Sequence, residues 1–585
     1  MGNYRNFKLV VYFVAGGTQN TTREKLEADL AFFGKHMRLD KVYLEPFRSI
    51  FADEKQVEMC KAVFEGHGIE VAGGITTTID DLPGEEPKQR MFNTFCYNDE
   101  KMLATLKEVS TFLGQHFNEF IIDDFYFTNC TCEACRAGRD AYNKAHGITD
   151  GSWQGYRLDL MQRVSKEYMI APAKAVNPNC SITIKYPNWA ESFQETGYNP
   201  AQQRTIFDNI YTGTETRDPI TTDQHLPRYL SYSLMTYFEN MWPGHNGGGW
   251  FDHYDLHITE HYLEQAYLTA FSKPKEMMMF CFQSLTDTMH IPALGYQLDK
   301  LDAVLDHCGK PIGIPCYLPD NCQGEDNVQD FLGMVGLPVV CTPYFPAENK
   351  TVLLTRSSAC DPDIVDKLEK YVAEGGKALV THGFLQATMD RGILRMTSIR
   401  FGGRKVMTAD FMVEQVRNIM HHRVMHYPHG NKPMLIEVPE HRNNATWALI
   451  KSVCGNENYG VMLQDTYGKG QLITLTVPDA FTDLYHMPET VLTRIRAEFP
   501  VGGVYLEGGA EISLFVYDND TFIVYPYVDN GVQPSTIKLH IMGEAKALKL
   551  PVEGREIVPL YTDAAETVFE VRAIPGQYVL YQILR

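Results

Sequence analysis

The chain has 585 residues, of which 44% are hydrophobic, so it is long enough to form three or four globular domains. Its 53 Lys and Arg residues against 73 Asp and Glu residues give a formal charge of −20, which repels phosphate backbones and excludes nucleic-acid binding as a main role. No stretch of about 18 uncharged apolar residues is present, so no membrane-spanning helix is expected.

Cysteine usage and the N-terminal segment bear on the compartment. The 13 cysteines are odd in number and most lie singly in apolar surroundings, as Cys281 and Cys316 do. This usage favours a reducing compartment with one metal site over a disulfide framework. The apolar run in MGNYRNFKLVVYFVAGG is too short for the core of a signal peptide and is typical of a first strand. We therefore expect a cytoplasmic protein, or a periplasmic one from which a signal peptide was removed.

Strand-like apolar runs alternate with amphipathic segments in the first half of the chain. In segments such as Lys101–Leu113 and Tyr156–Ala171, apolar residues recur at spacings of three and four, which predicts helices. Eight such strand-then-helix units predict a (β/α)8 TIM barrel, here at 1–309, with an open doubly wound sheet as the alternative on pattern alone. The predicted strands are Leu9–Val14, Lys41–Phe47, Ile69–Thr76, Phe120–Phe125, Ser181–Tyr186, Asn209–Gly213, Ser233–Phe238 and Met277–Phe282.

A second alternation of strands and helices begins at Lys310. The helix pattern DPDIVDKLEKYVAEGG ends in Gly375 and Gly376, a C-terminal helix signal, and the buried-strand pattern KALVTHG follows at once. There is no glycine-rich phosphate-binding fingerprint. We predict an α/β layer domain with a mixed extension at 310–500 and, from short alternating strands, a C-terminal β-sandwich at 501–585.

The segment EFIIDDFYFTNCTCEAC, Glu119–Cys135, combines a buried strand with acids and cysteines. The apolar run Phe120–Ile122 leads directly into Asp123 and Asp124, which places both acids at the end of a strand, where the catalytic carboxylates of a (β/α)8 barrel lie. Because side chains alternate along a strand, we expect only one acid, Asp124, to point into the barrel mouth and Asp123 to turn toward the helix layer.

Three cysteines follow in the pattern C-x-C-x-x-C, Cys130, Cys132 and Cys135. A structural zinc site needs four ligands, and Cys96, in the loop after the third predicted strand, is the best fourth. A closed four-cysteine shell has no open position for water, so we expect a structural zinc and no catalytic cofactor. The alternative is a set of ordinary thiols in a turn.

Acidic, basic and aromatic residues lie close to the ends of the predicted strands. Aromatic faces stack on the C–H surfaces of sugars while two carboxylates supply acid and nucleophile, so their concentration at one barrel mouth indicates a carbohydrate site. The candidate catalytic and substrate-binding residues are Glu45, Arg48, Arg90, Asp123, Asp124, Lys185, Trp189, Glu215, Glu239, Trp242, Trp250 and Asp252.

In four features the sequence resembles glycoside hydrolase family 42. They are the cysteine pattern with a fourth cysteine in QRMFNTFCYN, the segment MTYFENMWPG, the segment LEQAYLTAFSKPKEMMMFCFQS and the second alternation of strands and helices, which begins at Lys310. The resemblance implies a barrel, a Rossmann-like trimerisation domain of the class I amidotransferase-like type, a small β-sandwich, a zinc site and β-galactosidase activity. It further implies that Glu239 is the nucleophile and that the protein is a trimer, each trimerisation domain covering part of a neighbour's barrel mouth.

The sequence departs from that family at the fourth strand. Family 42 has Asn-Glu there, with Glu as the acid/base, whereas this chain has Asp123 and Asp124. The strand is also similar to α-fucosidase-like barrels in which an aspartate at this place is the nucleophile. That resemblance implies an α-glycosidase in which Asp124 is the nucleophile and Glu215 the acid/base.

The leading hypothesis is a retaining exo-glycosidase of glycan-derived oligosaccharides, β-galactosides first, with Asp124 as acid/base, Glu239 as nucleophile and Glu215 lining the sugar pocket. The alternatives are the Asp124 and Glu215 pair just described and an inactive carbohydrate-binding barrel. A metal-dependent hydrolase is least expected, because the barrel mouth has no H-x-H or H-E-x-x-H pattern.

Overall fold

The structure is a computed structural model that describes residues 4–80, 90–417, 422–528 and 533–585. The chain divides into two compact units, of which the first comprises Met1–His225 with Met241–Asp302 and the second Leu226–Asn240 with Ala303–Arg585. Within the described ranges, every helix is too short or too polar to cross a membrane.

The first unit contains a closed barrel of eight parallel strands. Each strand pairs with its sequence neighbour, and the first strand pairs with both the second and the eighth, which closes the sheet. The predicted (β/α)8 barrel is confirmed. The strands are β1 (Lys8–Phe13), β2 (Lys41–Arg48), β3 (Glu70–Thr76), β4 (Glu119–Ile122), β5 (Ser181–Tyr186), β6 (Asn209–Gly213), β7 (Asn246–Asp252) and β8 (Glu276–Phe280).

Large side chains fill the barrel interior. Tyr12, Tyr211 and Trp250 are buried there together with small and aliphatic residues from the other strands, so the interior is a packed core and not a pore. The polar residues described below lie at the carboxyl ends of the same strands. The core cluster consists of Val10, Tyr12, Tyr43, Ala72, Ile121, Tyr211, Trp250 and Met278.

The predicted seventh strand, Ser233–Phe238, is wrong, because this segment lies in the helix Leu230–Met241. Its apolar residues also recur at helical spacing. In so short an apolar run, periodicity alone does not distinguish a helix from a strand. The seventh strand is β7, whose sequence NGGGWFD is rich in glycine. A Cβ at Gly248 would lie 2.2 Å from the carbonyl oxygen of Glu276 on β8, so close backbone approach requires glycine where strand propensity disfavours it.

A buried polar network closes the amino-terminal end of the barrel. Lys41, at the start of β2, lies 2.7 Å from Glu119 and 3.1 Å from Glu276, at the starts of β4 and β8. The hydroxyl of Tyr43 donates to Glu119 (2.6 Å). Lys41 is 2% exposed, and although burial lowers its pKa, the two glutamates outweigh burial and raise the pKa.

Helices cover the outside of the barrel. In Glu100–His116, for example, the side chain of Asp99 caps the first turn and Leu106, Val109 and Leu113 face the core. The α-helices of the first unit are Ala15–Asn20, Arg23–Gly34, Glu54–Gly66, Glu100–His116, Glu133–His146, Gln154–Val164, Ala171–Val176, Phe193–Thr196, Pro200–Gln203, Thr259–Phe271 and Phe282–Leu285. A further helix, His290–Leu305, begins in the first unit and ends in the second.

The second unit begins with a sheet that is parallel on one side and antiparallel on the other. Its helices are Leu230–Met241, Val328–Met334, Ile364–Glu374, His382–Thr388 and Glu489–Ala497. The parallel strands, in spatial order, are Val339–Thr342, Ile314–Tyr317, Thr351–Leu354, Lys377–Thr381 and Gly470–Leu475. The antiparallel strands are Glu457–Tyr467, Thr446–Cys454 and Arg400–Arg417, the last paired also with His422–His426 and His429–Glu440.

Two antiparallel sheets form the C-terminal part of this unit and share one apolar core. One sheet comprises Pro311–Ile312, Ile512–Tyr517, Thr521–Pro526, Val579–Leu584, Ala547–Leu550 and Arg555–Ile557. The other comprises Val504–Glu507, Ser535–Met542, Glu566–Ala573 and Tyr561–Thr562. Pro311–Ile312 thus joins a sheet whose other strands lie some 200 residues further along the chain.

Candidate active site

Two adjacent aspartates follow β4 at the carboxyl end of the barrel. The backbone N–H of Asp123 still donates to the carbonyl of Ile75 on β3 (2.9 Å), but the regular strand ends at Ile122 and the chain turns. Because side chains alternate only along a regular strand, both carboxyl groups enter one polar cluster and contact Lys185. The prediction that Asp123 turns toward the helix layer is therefore wrong.

Lys185 on β5 connects these acids with a third. Its Nζ lies 2.7 Å from Asp124 Oδ2, 2.5 Å from Glu215 Oε1 and 3.7 Å from Asp123 Oδ1. The ammonium lies 4.2 Å from the centroid of the Trp250 ring. Burial lowers the pKa of Lys185, but the surrounding carboxylates outweigh burial and raise it above its usual range. Lys185 is therefore a buried cation shared by three acids.

A second ion cluster, on β2, fixes Asp123. Arg48 donates from Nε to Glu45 Oε2 (3.0 Å) and from a terminal nitrogen to Asp123 Oδ2 (2.6 Å). Glu45 is completely buried and also accepts hydrogen bonds from Tyr12 (2.7 Å), Thr76 (2.5 Å) and a backbone N–H (2.8 Å). Because both of its oxygens accept hydrogen bonds from these donors, the described contacts of Glu45 hold Arg48 and the strand ends in place.

The three carboxyl groups around Lys185 differ in protonation. Burial raises the pKa of Asp123, but the charges of Arg48 and Lys185 outweigh burial and lower the pKa to about 2. Burial raises the pKa of Asp124 well above its usual range, Lys185 opposes this rise, and the charges of Asp123 and Glu215 add to it. Burial also raises the pKa of Glu215, again opposed by Lys185. Asp123 is therefore ionised, and Asp124 and Glu215 are the groups that hold a proton most readily.

Glu215 follows β6, and the chain around it is closely packed. A Cβ at Gly213 would lie 2.6 Å from Glu215 Oε2 and 3.0 Å from the carbonyl oxygen of Tyr186, so glycine is required there. Asn188 donates to the backbone carbonyl of Glu215 (2.6 Å). Oε1 contacts Lys185, whereas Oε2 is buried and makes no hydrogen bond to any residue that the structure describes. Glu215 therefore has one oxygen for the lysine and one for a proton or a substrate.

The shared lysine limits the distance between Asp124 and Glu215. The two contacts with Nζ are 2.7 and 2.5 Å, so the two contacting oxygens can be no more than about 5.2 Å apart. The carboxyl groups of retaining glycosidases are roughly 5–5.5 Å apart, and those of inverting enzymes roughly 6.5–9.5 Å. The arrangement of Asp124 and Glu215 therefore favours a retaining pair.

Asp252, at the end of β7, is neutralised by Arg217. The guanidinium donates from Nε to Oδ1 (3.0 Å) and from a terminal nitrogen to Oδ2 (2.7 Å), the bidentate geometry of a strong ion pair. Arg217 has a φ of 52°, a backbone conformation that is uncommon for a residue other than glycine. Its positive charge also opposes the rise in the pKa of Glu215 that burial causes, so Arg217 is a further residue of the site.

Two predicted site residues do not follow a barrel strand. Glu239 is an exposed residue of the helix Leu230–Met241, which belongs to the second unit, so the prediction that it ends a barrel strand is wrong. Trp242 precedes β7 and stacks on His245 with ring centroids 3.9 Å apart. His245 contacts the backbone carbonyl of Asp208, just before β6, so Trp242 lies at the amino-terminal end of the barrel, opposite the cluster of acids.

The other two tryptophans among the predicted site residues border the cluster of acids. Trp250 is 2% exposed, so it supports Lys185 from inside the barrel. Trp189 is half-buried and packs its ring against Phe127 and Tyr198, with centroids 5.4 and 5.5 Å away. The hydroxyl of Tyr198 donates to the backbone carbonyl of Asp124. Trp189 therefore belongs to an aromatic wall beside Asp124.

Arg90 stabilises a loop. Its side chain is buried and donates to the backbone carbonyls of Asn93 (3.0 Å), Thr94 and Ile79 (3.3 Å). These bonds join the backbone at Ile79 to the turn at Asn93 and Thr94, so the described contacts of Arg90 are structural.

Sequence reasoning missed Tyr12, Thr76, Tyr198 and Arg217. Arg217 could have been found from its position two residues after Glu215 in TGTETRD, because a basic residue that close to an acidic site neutralises one of its carboxylates. The other three carry common core side chains. Their roles follow only from contacts made across the closed barrel.

The four predicted metal ligands come together. The sulphur atoms of Cys96, Cys130, Cys132 and Cys135 all lie within 4.8 Å of one another. Cys96 Sγ lies 3.7 Å from Cys132 Sγ and 3.6 Å from Cys135 Sγ, close to the edge of about 3.8 Å in a tetrahedron with Zn–S bonds of about 2.3 Å. Asn98 donates to Cys135 Sγ (3.2 Å), an outer-shell contact typical of metal-bound thiolates. This donor set fits a structural zinc ion.

The model of a protein family described as "Probable glycosyl hydrolase, catalytic domain" matches residues 1–299. The chain belongs to this family. In this glycosyl hydrolase, residues 503–582 match "Probable glycosyl hydrolase, C-terminal domain", and residues 309–480 match "Uncharacterized protein SSO3021, second domain". The protein is therefore a glycosidase, and the cluster of acids at the carboxyl end of its barrel is the candidate active site.

Similar proteins include one curated relative and several solved structures. This glycosyl hydrolase is 28% identical over 414 residues to the uncharacterized protein SSO3021 of Saccharolobus solfataricus, covering 64% of this chain and 67% of the relative. It is similar to a β-galactosidase from Bacillus circulans sp. alkalophilus (TM-score 0.63, 12% identity) and to α-L-fucosidase isoenzyme 2 from Paenibacillus thiaminolyticus (TM-score 0.65, 12% identity), with 99% of each chain covered. At this identity the similarity establishes the fold.

Proposed function

We propose that this glycosidase retains the anomeric configuration and uses Asp124 as acid/base and Glu215 as nucleophile. The observation that carries the proposal is the shared contact with Lys185, which holds one oxygen of each carboxyl group within about 5.2 Å of the other. The proposal differs from the leading sequence hypothesis in its nucleophile, because Glu239 does not lie at the end of a barrel strand.

The surrounding charges support this division of roles. Burial raises the pKa of both carboxyl groups, that of Asp124 well above its usual range, and at Glu215 the charges of Lys185 and Arg217 oppose this rise and favour the ionised form that a nucleophile requires. The negative charges of Asp123 and Glu215 favour a proton on Asp124, as a general acid requires. The side chain of Asp124 is 18% exposed against 5% for Glu215, so Asp124 also has readier proton exchange with solvent.

The same charges support a neutral sugar as substrate. Among the residues that the structure describes, these contacts bring together the carboxyl groups of Glu45, Asp123, Asp124, Glu215 and Asp252 and the cations of Arg48, Lys185 and Arg217. With one proton on the catalytic pair, the formal charge of the site is still negative, and a carboxylated or sulfated sugar would be repelled. We propose exo action on neutral glycan-derived oligosaccharides, with β-galactosides and α-L-fucosides tested first because the similar structures carry those names.

The test is a panel of α- and β-nitrophenyl glycosides, with NMR used to identify the anomer released first. We expect hydrolysis of a neutral glycoside with retention. Release of the opposite anomer would contradict a retaining pair. The absence of hydrolysis of every glycoside and of every neutral oligosaccharide would contradict the proposed activity and favour the alternative of an inactive carbohydrate-binding barrel.

We also propose that the four cysteines bind one structural zinc ion per chain. The Cys132→Ala variant should lose the metal and melt about 5–15 °C lower, because zinc ligation contributes directly to folding. Elemental analysis and thermal unfolding measure the two effects, and the exposed thiol of Cys360 provides the control variant Cys360→Ala, for which neither should change. Wild-type protein without metal would contradict the proposal.

We propose a homotrimer on the basis of the family 42 resemblance and the parallel α/β sheet that begins at Ile314. Cyclic symmetry would close three copies of this chain into a ring. Light scattering at micromolar concentration should give three times the chain mass of 66.5 kDa. The mass of a single chain would contradict this proposal.

A further inference from the structure

We propose that Phe92 and Phe125 form the subsite for the leaving group, where the face of Phe92 stacks on the ring of the departing sugar. This inference rests on the proposed glycosidase function, and it adds the residues that select the leaving group. Neither phenylalanine was among the residues singled out from the sequence.

Phe92 is a large apolar side chain held in solvent. It is 64% exposed, although burial of a phenylalanine side chain is favourable. Both Phe92 and Asn93 have positive φ angles, 53° and 55°. Two consecutive residues other than glycine in the left-handed region are uncommon, and such conformations persist only where the surroundings enforce them.

The surroundings of this loop do enforce it. Arg90 donates to the carbonyls of Asn93 and Thr94, and the side chain of Asn129 accepts from the backbone N–H of Met91 (2.9 Å). Asn93 donates to Asp80 (3.0 Å). The loop then leads directly to Cys96 of the cysteine cluster, so both ends of the exposed turn are fixed while the Phe92 ring remains accessible.

The Phe92 ring contacts the residue that follows the proposed acid/base in the sequence. Phe92 contacts Phe125 edge to face, with centroids 5.4 Å apart and planes at 85°, and Phe125 is the residue after Asp124. The guanidinium of Arg48 lies 5.7 Å from the centroid of Phe125 and also binds Asp123. The two perpendicular rings thus form an aromatic corner, the pair Phe92 and Phe125, and Arg48 connects this corner to Asp123.

The position of this corner indicates which part of the substrate it binds. A general acid protonates the oxygen of the departing group, so residues next to Asp124 lie on the leaving-group side. Aromatic side chains bind ring-shaped ligands through their faces, and the corner contributes no charged group of its own. A neutral sugar is therefore the leaving group that fits it.

The test compares two substrates with the same glycone and anomer, a disaccharide and the glycosyl fluoride, with the glycone taken from the nitrophenyl panel. Fluoride does not reach the stacking surface and departs without a proton. The Phe92→Ala variant should lose about tenfold in kcat/KM on the disaccharide and remain unchanged on the fluoride. Phe92→Tyr should restore the rate, and Met91→Ala, at the adjacent residue with 46% exposure, is the matched control.

Equal losses on both substrates, or no loss on either, would overturn the subsite while the glycosidase assignment stands. If the wild type cleaves neither substrate, the proposed function fails, and the subsite is then measured by saturation-transfer NMR with lactose. Weaker transfer to the reducing-end sugar in Phe92→Ala than in Met91→Ala would support the subsite. Equal transfer in the two variants would overturn it.

Discussion

Replacing Glu215 with alanine should lower kcat on the order of 10⁴- to 10⁶-fold, as removal of a catalytic nucleophile does in other hydrolases. In the proposed mechanism the Glu215 carboxylate forms the bond to the anomeric carbon while the leaving group takes the proton of Asp124. In the variant, added azide should occupy the vacated space and attack the same carbon. The product should be a glycosyl azide of inverted configuration, identified by NMR.

The Glu239→Ala variant separates this assignment from the one that the sequence resemblance implies. Glu239 is exposed on the helix Leu230–Met241, so its replacement should leave kcat/KM within about twofold of the wild type, as surface changes usually do. Azide rescue in Glu239→Ala, together with normal turnover in Glu215→Ala, would show that Glu239 is the nucleophile. Rescue with inversion in Asp124→Ala would instead exchange the roles of the proposed pair.

Replacing Asp124 with alanine should have the second-largest effect, and its size should depend on the leaving group. With a sugar as leaving group, kcat/KM should fall on the order of 10²- to 10⁴-fold, the usual contribution of a general acid. With 2,4-dinitrophenolate, which departs without protonation, glycosylation should be close to normal. Azide should now react with the glycosyl enzyme and give a product of retained configuration.

The pH profile provides a second measurement on the same variant. Burial and neighbouring acids raise the pKa of Asp124, so the group is protonated and active below that pKa and loses its proton as the pH rises through it. The wild-type rate should therefore fall on the alkaline side, and Asp124→Ala should abolish that decline. Equal losses for good and poor leaving groups, or an unchanged alkaline limb, would exclude Asp124 as the general acid.

The barrel was predictable because most of its strands are short, buried apolar runs followed by helical patterns. The seventh strand was not, because β7 contains three successive glycines, whose presence reflects contact with the neighbouring strand at Gly248 and not strand propensity. The prediction that Glu239 ends a barrel strand is wrong for the same reason, because Glu239 directly follows Ser233–Phe238 in the sequence.

The acids at true strand ends were found, and so was the cysteine cluster, because neighbouring loops of a barrel are adjacent in space. What could not be predicted is which groups neutralise one another. Lys185 contacts acids that follow β4 and β6, and these contacts depend on side-chain conformations and on the turn at Asp123. The sequence therefore indicates the members of the site but not which acids contact Lys185.

The polar network at the amino-terminal end of the barrel has a consequence for folding. Lys41 and its partners Glu119 and Glu276 stand at the starts of three strands, immediately below an apolar layer. A shift of one residue in the pairing of any of these strands would carry a charge away from its partner, and an uncompensated buried charge costs about 3–5 kcal/mol. The network thus selects against misregistered barrels during folding, independently of the chemistry at the opposite end.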